Sequence, residues 1–243
     1  MSTGINEEDM TSATVAYGFR VYTKVERTPA SVVANFRGVS TGDVCDAMGR
    51  MGAMTPEIKP ISPEMRAVGP AITVRLRPGD NVLVWKALEL AAPGDVMVIA
   101  TEGYTNHASY GGLISMACAR KGLAGMVTDG TIRNLPVLRE ADFPVWSAGV
   151  VPSSPHKHGP GEINVPVSCG GQVVRPGDLV VADPDGVAVV PRHDAETVYE
   201  RCLAVIERER QRLWEINNDP LIPAYVDEVL RDGHCEIIDD VAP

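Results

Sequence analysis

The chain reads as an α/β protein of parallel β-α-β units with a β-rich second half. Between Ala67 and Val150, short apolar runs such as Val96-Met97-Val98-Ile99-Ala100 alternate with segments whose apolar residues recur at helical intervals. That alternation calls for parallel strands joined by crossover helices. Beyond Gln172, the turn signals Pro176-Gly177-Asp178 and Asp185-Gly186 each precede a short apolar run, which is the pattern of strands joined by tight turns. At 243 residues and 44% hydrophobic content, the chain can bury one substantial core. The expected organisation is an N-terminal arm over 1–38, a core over 39–192 and a helical extension over 193–243.

Within the arm the patterning is weak, with a helix expected to end near Arg37. Ser40 and Asp43 have capping-box spacing, and Val44, Ala47 and Met48 then recur at helical intervals before Gly49, so a helix starts at Ser40. The same pattern fits Gly38-Val39-Ser40-Thr41-Gly42 to a nucleophile elbow, but no strand precedes it and the N-cap role explains Ser40 better. Next come a strand over Ala67–Leu76, a helix over Val82–Ala92 and a strand over Asp95–Thr101. A helix over Tyr110–Arg120, a strand over Leu123–Thr128, a short helix over Leu135–Ala141 and a strand over Val145–Val150 follow. Residues 151–171, rich in Pro, Gly and His, read as a long loop. Asp194–Ile216 is an amphipathic helix, and Pro220–Arg231 a second, shorter one.

Composition excludes several function classes. Acidic residues outnumber basic ones, 32 to 22, and no window gathers Lys and Arg into a stripe, so nucleic acid is not an expected partner. Met1–Met10 is polar and acidic, and no segment approaches the roughly 20 apolar residues of a membrane span, so a cytoplasmic protein without membrane contact is expected. Five scattered cysteines without a Cys-x-x-Cys pair fit reduced thiols in a reducing compartment. Neither a Walker A sequence nor Gly-x-Gly-x-x-Gly occurs, so no nucleotide cofactor is expected.

Chemistry concentrates between Ile99 and Asn134. A helix of about ten residues advances roughly 15 Å, and a strand of about five returns roughly 17 Å. The two nearly cancel, so the helix start at Ser109-Tyr110-Gly111-Gly112 should face the strand exit at Asp129-Gly130-Thr131-Ile132-Arg133-Asn134, at the sheet edge where α/β proteins bind ligands. Backbone N–H groups of Gly111, Gly112, Leu113 and Ile114 would form an anion site there, and Arg133 could grip a carboxylate through two parallel hydrogen bonds. Equally open is a packing role, in which the glycines permit close helix contact and Arg133 pairs with Glu140 or a neighbouring subunit.

Several segments resemble the RraA-like family, which includes regulators of ribonuclease activity and divalent-metal-dependent 4-hydroxy-4-methyl-2-oxoglutarate/4-carboxy-4-hydroxy-2-oxoadipate aldolases. The resemblance covers roughly Ser40 to Pro191 and is strongest in Gly122-Leu123-Ala124-Gly125-Met126-Val127-Thr128-Asp129-Gly130-Thr131-Ile132-Arg133, in Phe143-Pro144-Val145-Trp146 and in Lys157-His158-Gly159-Pro160-Gly161-Glu162-Ile163-Asn164-Val165-Pro166-Val167. It implies a swivelling β/β/α fold assembled as a homotrimer or hexamer, with active sites at subunit contacts. It also implies that amides of Gly111 to Ile114 hold a pyruvate-like group, that Arg133 clamps its oxygens, and that Asn81 lines the pocket, although a helix N-cap is an equal role for Asn81. In the aldolases the residue after the arginine is an aspartate holding Mg²⁺ or Mn²⁺, which polarises the α-keto group and stabilises the enolate.

Two positions depart from that pattern. The metal-ligand aspartate is Asn134, and the acidic residue expected 21 positions before the arginine is Gly112. Mg²⁺ prefers anionic oxygens, so metal affinity should fall. Glu102, Asp129 or Glu162 could stand in, though each is as readily a surface residue or turn cap. His156, His158, Lys157 and Glu162 invite a metal reading, but a glycine-rich loop covering a site is the better reading of that stretch. The expected function is a lyase acting on a small carboxylated 2-oxo acid through a pyruvate enolate, by aldol cleavage or as an oxaloacetate decarboxylase. The alternative is a non-catalytic binding or regulatory protein that has lost the metal site.

Overall fold

In the computed structural model, which describes residues 18–241, the first half of the chain runs β1 (Phe19–Val21), α1 (Ala30–Asn35), α2 (Thr41–Ala47), β2 (Lys59–Pro60), β3 (Ala67–Leu76), α3 (Val82–Leu90) and β4 (Val96–Ala100). There follow β5 (Ala108–Gly111), α4 (Gly112–Lys121), β6 (Gly125–Arg133), α5 (Leu135–Glu140), β7 (Val145–Val150), β8 (Gly161–Ile163) and β9 (Val167–Cys169). The chain closes with β10 (Gln172–Val174), β11 (Leu179–Ala182), β12 (Val187–Val190), α6 (Ala195–Asn218) and α7 (Tyr225–Asp232). The part of the expected arm before residue 18 lies outside the described residues.

Strands β3, β4, β6 and β7 pair in parallel, in that order. They can do so because the two central strands are buried on both faces: every residue of β4 is buried, and β6 is buried from Gly125 to Ile132, as a sheet covered on both sides requires. On one flank β8 joins β3 antiparallel and β1 joins β8 in parallel. On the other, β2 lies antiparallel to β7. The β11–β12 hairpin docks on the first half of β3, and β9 and β10 form a separate two-stranded sheet. This is the expected mixture of a parallel β-α-β core and a β-rich second half.

Local chemistry fixes the element ends. Ser40 Oγ accepts from the Asp43 amide at 3.0 Å and the Asp43 side chain receives the Ser40 amide, so the capping box forms. Ser40 is thus a cap and not a nucleophile. Helix α3 buries Leu83, Val84, Ala87 and Leu88, one stripe at helical spacing. Trp146 is fully buried, and its Nε1 donates to the Asp183 carbonyl at 2.9 Å, satisfying the one polar atom the ring brings inside.

Three expectations need correction. The helix placed over Tyr110–Arg120 begins at Gly112, because Ala108–Gly111 pairs in parallel with the end of β6 as β5. Residues 151–171 are not one loop: Gly161–Ile163 is a strand whose partners, β1 and β3, lie far away in sequence, and Val167–Cys169 is a strand that pairs with the adjacent β10. The last helix begins at Tyr225, not at Pro220, since Pro223 disfavours helical geometry in the residue before it.

The chain divides into two units, one through Cys202 and one from Leu203 onward. The second contains the rest of α6 and α7, with Arg212 donating to the Pro220 carbonyl at 3.1 Å. Among the described residues no helix is long and apolar enough to cross a membrane.

In the first unit the segment before α1 is fastened by buried polar groups. Arg27 grips Asp95 through two parallel bonds of 2.8 Å, and Asp95 also receives the Ala92 amide. Thr28 bonds the Gly177 carbonyl through both its amide and its hydroxyl. Gly177 has a positive φ, and a Cβ there would meet the Glu26 carbonyl at 1.8 Å, so only glycine lets the two backbones approach. Removing one partner of a buried pair strands the other charge. Asp95→Ala should therefore lower unfolding free energy by about 3 kcal/mol in urea titrations, and a loss below about 0.5 kcal/mol would show that the pair is not a fastening.

Candidate functional site

The helix start and the strand exit meet more closely than chain lengths alone require. In the β5–β6 ladder Gly111 is the direct partner of Arg133, with Tyr110 beside Ile132. Helix α4 starts immediately after, at Gly112, so the first N–H groups of a ten-residue helix open beside the arginine. Gly111 is extended, so φ does not demand glycine. The space is tight but not closed: a Cβ there would lie 3.3 Å from Arg133 Cγ and 3.5 Å from Asn134 Oδ1, so a small side chain would press on the arginine stem.

An open cavity of about 100 Å³ lies at this junction, and Asn81, Gly111, Gly112, Arg133, Asn134 and Lys157 line it, together with Leu113, Ile114 and the exposed Trp85. Gly111 to Ile114, Arg133, Asn134 and Asn81 are therefore brought to one place. The contributing segments follow β3, β5, β6 and β7, all at the carboxyl edge of the parallel strands.

The packing role also holds in part. A Cβ on Gly112 would come within 2.6 Å of Val137 Cγ1, so this glycine admits α5 against α4. Arg133 does not pair with Glu140, however. Its Nη1 donates to Ser154 Oγ, in the loop that follows β7.

Asn134 occupies the left-handed region at φ 64° and ψ 44°, a conformation that Asn and Asp tolerate better than most residues. Asn81 is not a side-chain cap. It sits at the N-cap position of α3 without a capping bond, and the Val82 amide goes instead to Asp80 Oδ1 at 2.9 Å. Asn81 is 6% exposed, and its Oδ1 is buried with no hydrogen-bond partner among the described residues.

Lys157, Trp85 and Pro155 are lining residues that the sequence reasoning did not assign to the site. Trp85 could have been found, since it lies four residues after Asn81 on the same helix face. Lys157 depends on a tertiary contact. Asp80 Oδ2 accepts the His158 amide at 2.6 Å and the Gly159 amide at 3.0 Å, and the His156 amide reaches the Gly79 carbonyl at 2.7 Å. Residues on both sides of Lys157 are thereby pinned to the start of α3. Burial works against the Asp80 carboxylate, but the amides of Val82, His158 and Gly159 outweigh it and hold its pKa below the ordinary carboxylate value.

The proposed stand-in carboxylates lie elsewhere. Glu162 is fully buried between Arg20 and Arg75. Asp129 receives the Thr101 amide and hydroxyl and the Gly103 amide, and burial raises its pKa despite those bonds. It lines a different cavity, together with Glu102. His156 and His158 share a third hollow with Arg77, Asp80 and Tyr104, and the His156 ring lies 5.3 Å from that of His107. Among the described residues no three His, Cys, Asp or Glu side chains gather as a metal site. The Arg133 pocket itself has no carboxylate in its lining, two cationic side chains and, as side-chain oxygens, only the neutral amides of Asn81 and Asn134 and the phenol of Tyr110. That donor set does not fit Mg²⁺ or Mn²⁺, which seek anionic oxygen.

Residues 41–189 match the family model described as RraA-like: Aldolase/RraA. The chain belongs to the RraA-like family. A relative from Halalkalibacterium halodurans, named "Putative 4-hydroxy-4-methyl-2-oxoglutarate aldolase", is 36% identical over 199 residues, covering 82% of this chain and 95% of the relative. Among solved structures, Streptomyces coelicolor RraAS2, described as an unusual member of the RNase ES inhibitor RraA family, aligns with a TM-score of 0.70 at 28% identity, over 79% of this chain and all of that one. The RNA-processing inhibitor RraA from Thermus thermophilis aligns with a TM-score of 0.58 at 31% identity, over 63% and 92% of the two chains. The RraA-like fold expected from the sequence is the one observed.

The Asp80 tether is open to test. A depressed carboxylate pKa means that its contribution is complete above the unfolded value of about 3.9 and is lost as pH falls through the lower folded value. Asp80→Asn should cost roughly 1–3 kcal/mol and speed hydrogen exchange at His158 and Gly159 at neutral pH. Exchange at those two amides that matched the wild type would remove Asp80 as the anchor of the loop.

Proposed function

We propose that this RraA-like protein is a lyase that binds a small carboxylated 2-oxo acid at the Arg133 pocket and releases pyruvate from it. The observation that carries the reading is the backbone pairing of Gly111 with Arg133, which sets free helix amides and a guanidinium around one cavity at the ligand-binding edge of the sheet. Relatives named "Putative 4-hydroxy-4-methyl-2-oxoglutarate aldolase" support that substrate class.

On this reading the amides of Gly111 to Ile114 hold the carboxylate, and Arg133 spans the carboxylate and the 2-oxo oxygen. Cleavage breaks the bond between C3 and C4, and its electron pair moves toward the 2-oxo group as an enolate. The 4-hydroxyl loses its proton as it becomes a carbonyl. Arg133 cannot accept that proton, and the open pocket lets water take it. The guanidinium and the amides are oriented before the reaction, so they stabilise the enolate oxygen without reorganising.

A second reading, a non-catalytic binding or regulatory protein, is favoured by the absence of any carboxylate from the pocket lining. The neighbours described as RNase ES and RNA-processing inhibitors support it. One assay separates the two: pyruvate release from 4-hydroxy-4-methyl-2-oxoglutarate and from oxaloacetate, with and without Mg²⁺ or Mn²⁺, by the wild type, Arg133→Gln and Asn134→Asp. The lyase reading expects wild-type turnover that falls roughly 100- to 1,000-fold in kcat/KM for Arg133→Gln. Turnover only in Asn134→Asp with metal, or none with either substrate, would favour the regulatory reading.

A further inference from the structure

The same pocket that fits a divalent cation poorly carries positive charge of its own, and this inference rests on the reading of that pocket given above. Arg133 and Lys157 are the two charged side chains in its lining. Neither position is incidental. Arg133 is fixed through its backbone by Gly111 and through its guanidinium by Ser154. Lys157 is fixed through its neighbours, with the His156 amide on Gly79, the Asn81 amide on the His156 carbonyl at 3.1 Å, and the His158 and Gly159 amides on Asp80. Asn81, whose own amide makes one of these bonds, lines the pocket with its Oδ1 buried and lacking a hydrogen-bond partner among the described residues. An unpartnered acceptor in such a place calls for a donor, and the Lys157 ammonium in the same lining can supply one.

We propose that Lys157 and Arg133 together neutralise a compact dianion in this pocket, with Lys157 as a binding residue, and that binding needs no divalent metal. The ligand class is a small molecule with two neighbouring anionic oxygen groups, as in a 2-oxo dicarboxylate or the enolate of a 2-oxo acid. Two cations in the lining and a missing carboxylate each disfavour Mg²⁺ and favour the dianion itself. An acidic residue at position 112 would not fit cheaply, because any side chain on Gly112 runs into Val137.

The test is calorimetric titration of the full-length chain with oxalate, a dianion resembling the pyruvate enolate, and with acetate as a monoanion. Each is measured in EDTA and in excess Mg²⁺ at matched free oxalate. Oxalate should bind equally well within twofold in the two buffers and much more tightly than acetate. Lys157→Gln should weaken oxalate at least tenfold while shifting acetate far less, and Lys157→Arg should recover oxalate binding to within about threefold. Lys157 is exposed, so these variants should melt with the wild type. Oxalate binding that requires Mg²⁺, or that is unchanged in Lys157→Gln, would overturn this inference and leave the pocket reading in place. No oxalate binding in either buffer would overturn both.

Discussion

Pairing of one short strand with the end of another sets the rest of the site. Because β5 adds to the last residues of β6, Gly111 stands directly beside Arg133, and α4 must start at that point with its unbonded amides open to the same space. The neighbouring strands make this possible, since β4 pairs with β6 over Gly125–Thr128 and β7 pairs with it as far as Ile132. Two glycines then act at different surfaces of the junction: Gly111 leaves room for the arginine stem and Gly112 for Val137. A side chain at Gly112 would push α5 away from the start of α4, while one at Gly111 would press on the arginine stem.

Around that fixed junction the remaining parts of the pocket arrive by tethers. Asp80 caps the start of α3 with one oxygen and draws in the loop carrying Lys157 with the other. A single buried carboxylate thus sets both the helix that presents Asn81 and Trp85 and the segment that presents Lys157. The chemistry collected is cationic and amide-rich with no carboxylate in the lining, which suits an anionic ligand and leaves a divalent metal poorly provided for. In this respect the chain departs from the metal-dependent pattern that its family resemblance implies.

Most of the parallel core was legible because its signals are local. The apolar runs of β3, β4 and β7, the stripe on α3 and the Ser40–Asp43 capping box each declare themselves within a few residues. The convergence of Gly111 and Arg133 was legible from chain length alone, although the cause differs, since a strand rather than a helical turn brings Gly111 to its partner. What sequence reasoning missed is non-local. Strand β8 is three residues long and hides in a Pro-, Gly- and His-rich stretch, and it exists because β1 and β3 accept it and because Arg20 and Arg75 neutralise the buried Glu162. Lys157 reads as one more loop residue until Asp80, 77 positions earlier in the sequence, is seen to pin its neighbours.

The central claim is that the amides opening α4 and the guanidinium ending β6 hold one small anion between them. The most direct measurement is a pyruvate titration of the ¹⁵N-labelled protein followed by NMR. The account predicts saturable shifts concentrated at the amides of Gly111 to Ile114 and at Arg133 Nε. Saturable shifts confined to another region, with those signals unmoved, would contradict it.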